Sequence, residues 1–358
     1  MIPLFKVGMA LDDSGDVYKS APAAVAQVLA SGYIGQGPKV EEFERQLQSS
    51  LGFVARPVTT NSCTSALDLA LELIGVGPGD KVLTTPQTCT ATNSPIVKRG
   101  ATPIWCDVDT EGLLTPYSVQ HRYMDHPDAK ALMVVDWAGA PANYAALRKA
   151  APGLPIIEDA AHRLGGPVGG DYVAYSFQAI KFLTTGDGGA LLVPPGQYER
   201  AKLLRWYGLD RESDASFRCA QNIGEVGFKY HMNDISAAIG IANGPVALRN
   251  LSRHRENARY LADRLGIEFR EDSHYWFFPL TVSDRDGFIS YMETRGIATS
   301  QVHARNDKHD GFNFYNGPLP GVDWFDAHQV AIPCGWWLTQ DELEQVATAV
   351  TDWATGGR

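Results

Sequence analysis

Two hydrophobic periods alternate through the first two thirds of the chain. Val40, Phe43 and Leu47 stand at i, i+3 and i+7 behind Pro38, and Ala66, Leu67, Ala70, Leu71 and Ile74 repeat that spacing behind Thr64. Both patterns predict helices with one buried face. Between helical stretches come short, wholly apolar runs at 81–85, 103–106, 131–135, 155–157, 172–177 and 190–193. Runs without polar alternation, separated by helices, predict a mostly parallel sheet covered on both faces. From about Pro245 the pattern changes to a long charged helix over 248–265, followed by runs at 275–282 and 330–333. The expected architecture is α/β: a large domain over 1–244 with a mostly parallel sheet between helices, and a smaller C-terminal α+β domain over 245–358, ending in a frayed tail at 355–358.

Composition narrows the function classes. A chain of 358 residues, 44% hydrophobic, has enough apolar material for two domains. Its formal net charge of −10 argues against a general nucleic-acid binder or a protein of anionic membrane surfaces. The cysteines Cys63, Cys89, Cys106, Cys219 and Cys334 are odd in number and contain no CxxC pair, which indicates neither a disulfide framework nor a zinc site. His303, Asp307 and His309 superficially suggest metal ligands, but nothing else in the spacing supports a metal. The N-terminus carries no signal-peptide pattern and no run reaches ~18 apolar residues, so a reducing cytoplasm is the expected compartment.

The chemistry concentrates in two segments. An apolar run ends in Glu158-Asp159-Ala160-Ala161-His162, and 22 residues after Asp159 comes Lys181, inside Tyr175-Ser176-Phe177-Gln178-Ala179-Ile180-Lys181-Phe182-Leu183-Thr184-Thr185-Gly186-Asp187-Gly188-Gly189. Taken singly, a lysine is most often a solvated surface residue and an aspartate a helix cap. Together with the Thr-Thr-Gly-Asp-Gly-Gly turn they supply an acid for a pyridinium nitrogen (Asp159), a hydroxyl for a phosphate (Ser176) and an amine for a Schiff base (Lys181), the parts of a pyridoxal 5′-phosphate (PLP) site. A lysine attacks an aldehyde well only where desolvation or neighbouring positive charge lowers its pKa, and Lys181 sits among Phe177, Ile180, Phe182 and Leu183. A parallel sheet places ligands at the carboxyl ends of its strands, where Asp159 and Ser176 are expected.

Motifs along nearly the whole chain resemble the DegT/DnrJ/EryC1/StrS family of sugar aminotransferases, fold-type I PLP enzymes. They include Gly35-Gln36-Gly37-Pro38, Thr60-Asn61-Ser62-Cys63-Thr64-Ser65, Gly77-Pro78-Gly79-Asp80, Thr88-Cys89-Thr90-Ala91-Thr92-Asn93, Asp107-Val108-Asp109, the aspartate and lysine segments, and Gly227-Phe228-Lys229-Tyr230-His231-Met232-Asn233-Asp234. The resemblance implies an enzyme that moves an amino group from an amino acid, L-glutamate by analogy, to a keto sugar linked to a nucleotide. A PLP sugar dehydratase and a catalytically silent PLP-binding regulator remain as alternatives on the same scaffold. Retention of Lys181 speaks against the first, and the absence of a basic stripe against the second.

Residue by residue, the resemblance makes Lys181, Asp159 and His162 catalytic, with His162 facing the cofactor's 3-oxygen. Ser62, Cys63 and Thr64 open a helix whose N-terminus suits a phosphate, though alone Ser62 or Thr64 serves equally as an N-cap. Lys229 matches the position from which family members reach the neighbouring subunit's cofactor phosphate, implying a homodimer. Cys89 stands where relatives commonly carry an aromatic residue that stacks on the pyridine ring; a thiol only packs softly there. His303, Arg305, Trp336 and Trp337 are substrate-side candidates, able to hold hydroxyls, phosphate or a flat ring, and equally readable as a charged loop and a buried pair. Gly165-Gly166-Pro167-Val168-Gly169-Gly170 lacks the setting of a dinucleotide fingerprint and reads as a turn.

Overall fold

The computed structural model describes residues 1–11, 19–211, 213, 220–314 and 317–356. In chain order its elements are α1 (Ala21–Ser31), α2 (Pro38–Ser50), β1 (Val58–Thr60), α3 (Cys63–Ile74), β2 (Lys81–Thr84), α4 (Thr90–Lys98), β3 (Thr102–Trp105), α5 (Pro116–Asp125), β4 (Ala131–Val135), α6 (Tyr144–Ala150) and β5 (Ile156–Asp159). They continue with β6 (Tyr172–Ser176), β7 (Gly189–Leu192), α7 (Tyr198–Leu204), α8 (Asp234–Leu265), β8 (Phe278–Thr281), α9 (Arg285–Thr294), α10 (Pro320–His328), β9 (Gln329–Ile332) and α11 (Gln340–Ala354). Seven strands form one sheet in the order β1-β7-β6-β5-β4-β2-β3. The pairs among β2 to β6 are parallel, and β7 runs antiparallel to both neighbours.

The apolar runs become strands because both faces of the sheet are covered. In β4, Ala131 and Met133 enter the apolar cluster built on α3, while Leu132 and Val134 enter the cluster of Val119 and Leu147 on the opposite face. This is the period of two that a strand imposes, here apolar on both sides. A third cluster, carried by Ala258, Leu261, Phe278, Phe288, Val330, Ile332 and Val346 together with Ile2, surrounds the antiparallel pair β8–β9.

The structure adds one strand to the expected pattern and corrects one helix. β1 was too short to register as an apolar run. The helix expected over 248–265 begins at Asp234, capped by Asn233 accepting from the Ser236 N–H, and it continues through Pro245 for 32 residues. A proline removes one intrahelical donor and normally breaks a helix. Here the Ile241 carbonyl left without that donor accepts from the Gln46 side-chain amide of α2 at 3.1 Å. Gly240 lets α2 approach closely, since a Cβ there would meet the Phe43 ring at 2.6 Å.

The carboxyl ends of β4 and β5 are locked by a buried ionic cluster. Arg163 donates to Asp136 at 2.9 Å and Glu158 at 3.0 Å, and the other Glu158 oxygen accepts from the amides of Gly169 and Gly170. The 165–170 segment is thus a turn wrapped around a buried carboxylate. One guanidinium serves two carboxylates, so burial and the Glu158 charge push Asp136 up to about 7. Among the described residues, no helix is long and apolar enough to cross a membrane, and His, Cys, Asp and Glu side chains form no group of three or more suited to a metal ion. Cys63, Cys89, Cys106 and Cys334 are free thiols; Cys219 lies outside the described residues.

Candidate active site

A cavity of about 370 Å³ opens at the carboxyl end of the sheet, lined in part by Ser62, Cys63, Thr64, Cys89, Asp159, His162, Ser176, Lys181 and His303. Each side chain arrives there for a local reason. Asp159 ends β5, a fully buried strand. Ser176 ends β6 and pairs with Gly189 of β7, because the Thr184–Gly188 turn folds the chain straight back: the Thr185 N–H donates to the Phe177 carbonyl and the Phe177 N–H to the Gly188 carbonyl, both at 2.9 Å. Lys181 closes a tighter turn inside that loop, its N–H donating to the Gln178 carbonyl. Gly189 admits the start of α3, since a Cβ there would lie 2.5 Å from the Cys63 amide nitrogen. The first-turn amides of α3, which a helix leaves without intrahelical partners, therefore stand beside the Ser176 hydroxyl. Ser62 does cap α3, accepting from the Ser65 N–H at 3.1 Å.

Asp159 is 5% exposed. Its carboxylate accepts from the Thr92 hydroxyl at 2.7 Å and the Ala161 amide at 3.1 Å, and the Cys63 thiol lies 4.0 Å away. Thr88 and Thr92 share a hydrogen bond of 2.8 Å, one turn apart, so a short hydroxyl chain orients the acid. Burial pushes the carboxyl up, opposed by those two hydrogen bonds and the Lys181 charge. Lys181 shows the complementary effect: burial brings its amine down from 10.5 to about 8, against the pull of Asp159 and the two thiols. His162 stacks on Trp276 at 4.2 Å between ring centroids, and its Nδ1 is buried without a partner. Burial, then the Lys181 and His303 charges, hold it well below the usual histidine range, as burial brings His303 down to about 4.

The structure does not gather every candidate. Arg305 is buried outside the cavity lining, its guanidinium bound in two-pronged fashion to Asp307 at 2.6 and 2.7 Å and also to Asp323. A guanidinium so committed has little left for a substrate. Trp337 donates to the Pro3 carbonyl and meets Trp336 edge to face at 5.9 Å, and neither lines the cavity. Lys229 lies apart from the cavity too, bridging to Trp206 through its backbone with Nζ 6.0 Å from the Tyr207 ring.

Sequence reasoning missed Thr92 and Trp276, both on the cavity wall. The i, i+4 pairing of Thr88 with Thr92 was a usable signal for the first. Trp276 belongs to an aromatic run that read as the start of a strand, but β8 begins only at Phe278.

These features fit one cofactor. An amine near neutral pKa, a buried carboxylate on shaped hydrogen bonds, an unpartnered histidine nitrogen and a helix N-terminus beside a hydroxyl match, respectively, the aldehyde, ring nitrogen, phenolic oxygen and phosphate of PLP. The fold is that of the fold-type I PLP-dependent transferases, shared with solved sugar aminotransferases. Residues 16–351 match the DegT/DnrJ/EryC1/StrS aminotransferase family, and the chain belongs to it. The family is PLP-dependent. The sugar aminotransferase CalS13 from Micromonospora echinospora is 35% identical, with a TM-score of 0.88 over 98% of this chain and 100% of that one. AtS13 from Actinomadura melliaura is 36% identical, with a TM-score of 0.88 over 98% of each chain. DesV of S. venezuelae, solved in complex with a ketimine intermediate, is 28% identical, with a TM-score of 0.83 over 93% of this chain and 94% of that one.

Proposed function

We propose that this protein transfers an amino group from L-glutamate to a keto sugar carried on a nucleotide, acting in the cytoplasm as a homodimer. The observation that carries the reading is the convergence, in one cavity, of the Lys181 amine, the Asp159 carboxylate, His162 and the α3 N-terminus beside Ser176. PLP held there supplies an aldehyde that accepts the amino group and a protonated ring that draws electrons from the bond being broken. The protein's own residues do the rest. Lys181 Nζ takes the proton from the donor α-carbon, and an amine near neutral pKa both accepts and returns it readily. The Asp159 carboxylate, positioned by Thr92 and Ala161, keeps the proton on the ring nitrogen. Ser176 and the α3 amides fix the phosphate, and apolar Leu67, Val135 and Ile180 exclude water from the same space. Lys229, being away from its own chain's cavity, is free by position to serve the partner's phosphate in the dimer.

Nucleotide-linked 3-keto and 4-keto sugars incubated with the PLP-loaded protein and L-glutamate, and followed by mass spectrometry, test the reading. The expected result is an amino sugar still attached to its nucleotide, with one 2-oxoglutarate formed per amine transferred. Amination of free sugars alone, or dehydrated products with no amine gained, would overturn it.

A further inference from the structure

The side chain that meets the reacting amine is a tryptophan. Lys181 Nζ lies 3.3 Å from the centroid of the Trp276 ring, and Asp159 is the carboxylate whose charge acts on it. The charged and titratable groups that face it are Asp159 at the end of β5, Cys63 at the start of α3, Cys89 at the start of α4, and the two imidazoles His162 and His303. Trp276 is 3% exposed and held on every side. Phe5 stacks on it at 4.5 Å and His162 at 4.2 Å. Its indole N–H donates at 3.0 Å to the carbonyl of Ile180, the residue next to Lys181.

The backbone that delivers this ring is strained. Tyr275, immediately before it, has φ +51°, and Ala138, whose carbonyl accepts from the Trp276 N–H at 2.9 Å, has φ +56°. Non-glycine residues enter the left-handed region at a cost, and two of them paired at one point mark a geometry kept for a purpose. An ordinary core tryptophan needs neither the strained approach nor a lysine amine on its face.

We propose that Trp276 is a positioning residue for Lys181: its indole face is where the amine rests whenever it is not joined to the cofactor, and the ring's attraction for the cation sets how readily the amine gives up its proton. A π face attracts an ammonium group without offering a lone pair that could take its proton. A carboxylate in that place would hold the amine charged and remove it from proton traffic near neutral pH. The indole therefore gives a fixed location with a mild bias toward the charged form. The bond to Ile180 ties the lysine's backbone to the same platform.

The inference rests on Lys181 as the reacting lysine, but its test needs neither the sugar nor the cofactor, so it fails or stands apart from the substrate assignment. Tryptophans carrying one, two or three fluorine atoms, placed site-specifically at position 276, keep the ring's shape while weakening its attraction for a cation. In each cofactor-free protein, the rate at which acetic anhydride modifies Lys181 is measured against pH by mass spectrometry of the peptide that bears it. The midpoint should fall stepwise with fluorine number, by about half to one pH unit across the series, making Lys181 about three- to tenfold more reactive at pH 7. Trp276→Leu should shift it the same way. A midpoint indifferent to fluorine, or one that rises in Trp276→Leu because the indole merely kept water out, would overturn the proposal.

Discussion

Lys181→Ala is expected to abolish amino transfer while leaving the fold intact. In the proposed mechanism the substitution removes both the amine that engages the cofactor and the base that moves the proton, so turnover should fall by at least about ten-thousand-fold, or about 5 kcal/mol of transition-state stabilisation. The same change should stabilise the cofactor-free protein. Burial lowers the amine from 10.5 to about 8 in the folded state. Below pH 8 the amine is charged in folded and unfolded chains alike, and the folded state bears the full desolvation cost; that cost disappears as pH rises from about 8 to 10.5. Thermal unfolding of cofactor-free Lys181→Ala should therefore exceed wild type at pH 7, with the gap narrowing above pH 8. Near-normal turnover would remove Lys181 from the mechanism. A stability gap that widens with pH would show that the amine is not desolvated.

Asp159→Asn should have the next largest effect. The shape is preserved, but the charge that holds the ring proton is lost, and turnover should fall on the order of 10²–10³-fold at ~1.4 kcal/mol per decade. Cofactor affinity should weaken less, because Ser176 and the α3 N-terminus, proposed to hold the phosphate, are untouched. Stopped-flow measurement of the reaction with L-glutamate separates the two quantities. An unchanged rate would mean that another acid serves the ring nitrogen.

Much of this site was legible because its chemistry is local in sequence. Lys181 and Asp159 each end or follow an apolar run, and β5, β6 and the Thr184–Gly188 turn bring them together through adjacent strands. Trp276 was not legible in this way: it reaches Lys181 through a tertiary connection, by way of the left-handed backbone at Tyr275 and Ala138. Periodicity read Tyr275, Trp276 and Phe277 as a strand, since aromatic residues favour strands wherever tertiary structure does not intervene. Arg305 illustrates the opposite failure. It reads as a substrate-side cation or as part of a charged loop; Asp307, two residues on, holds it in two-pronged fashion, and Asp323, 18 residues further on, becomes a second partner only in the folded chain.

The same limit explains the first half of α8. Gly240, Gly244 and Pro245 punctuate a sequence as breakers, yet each is accommodated by α2: Phe43 fills the space beside Gly240, and Gln46 packs at Gly244 while satisfying the carbonyl that Pro245 abandons. Local propensity was overruled by a neighbouring helix.

The most direct test of the central assignment is reduction with borohydride of the protein loaded with PLP, followed by digestion and mass spectrometry. The account predicts the cofactor's added mass on the peptide bearing Lys181 and its absence after Lys181→Ala. The mass fixed to any other lysine, Lys229 included, or an unlabelled protein that nonetheless turns over, would contradict it.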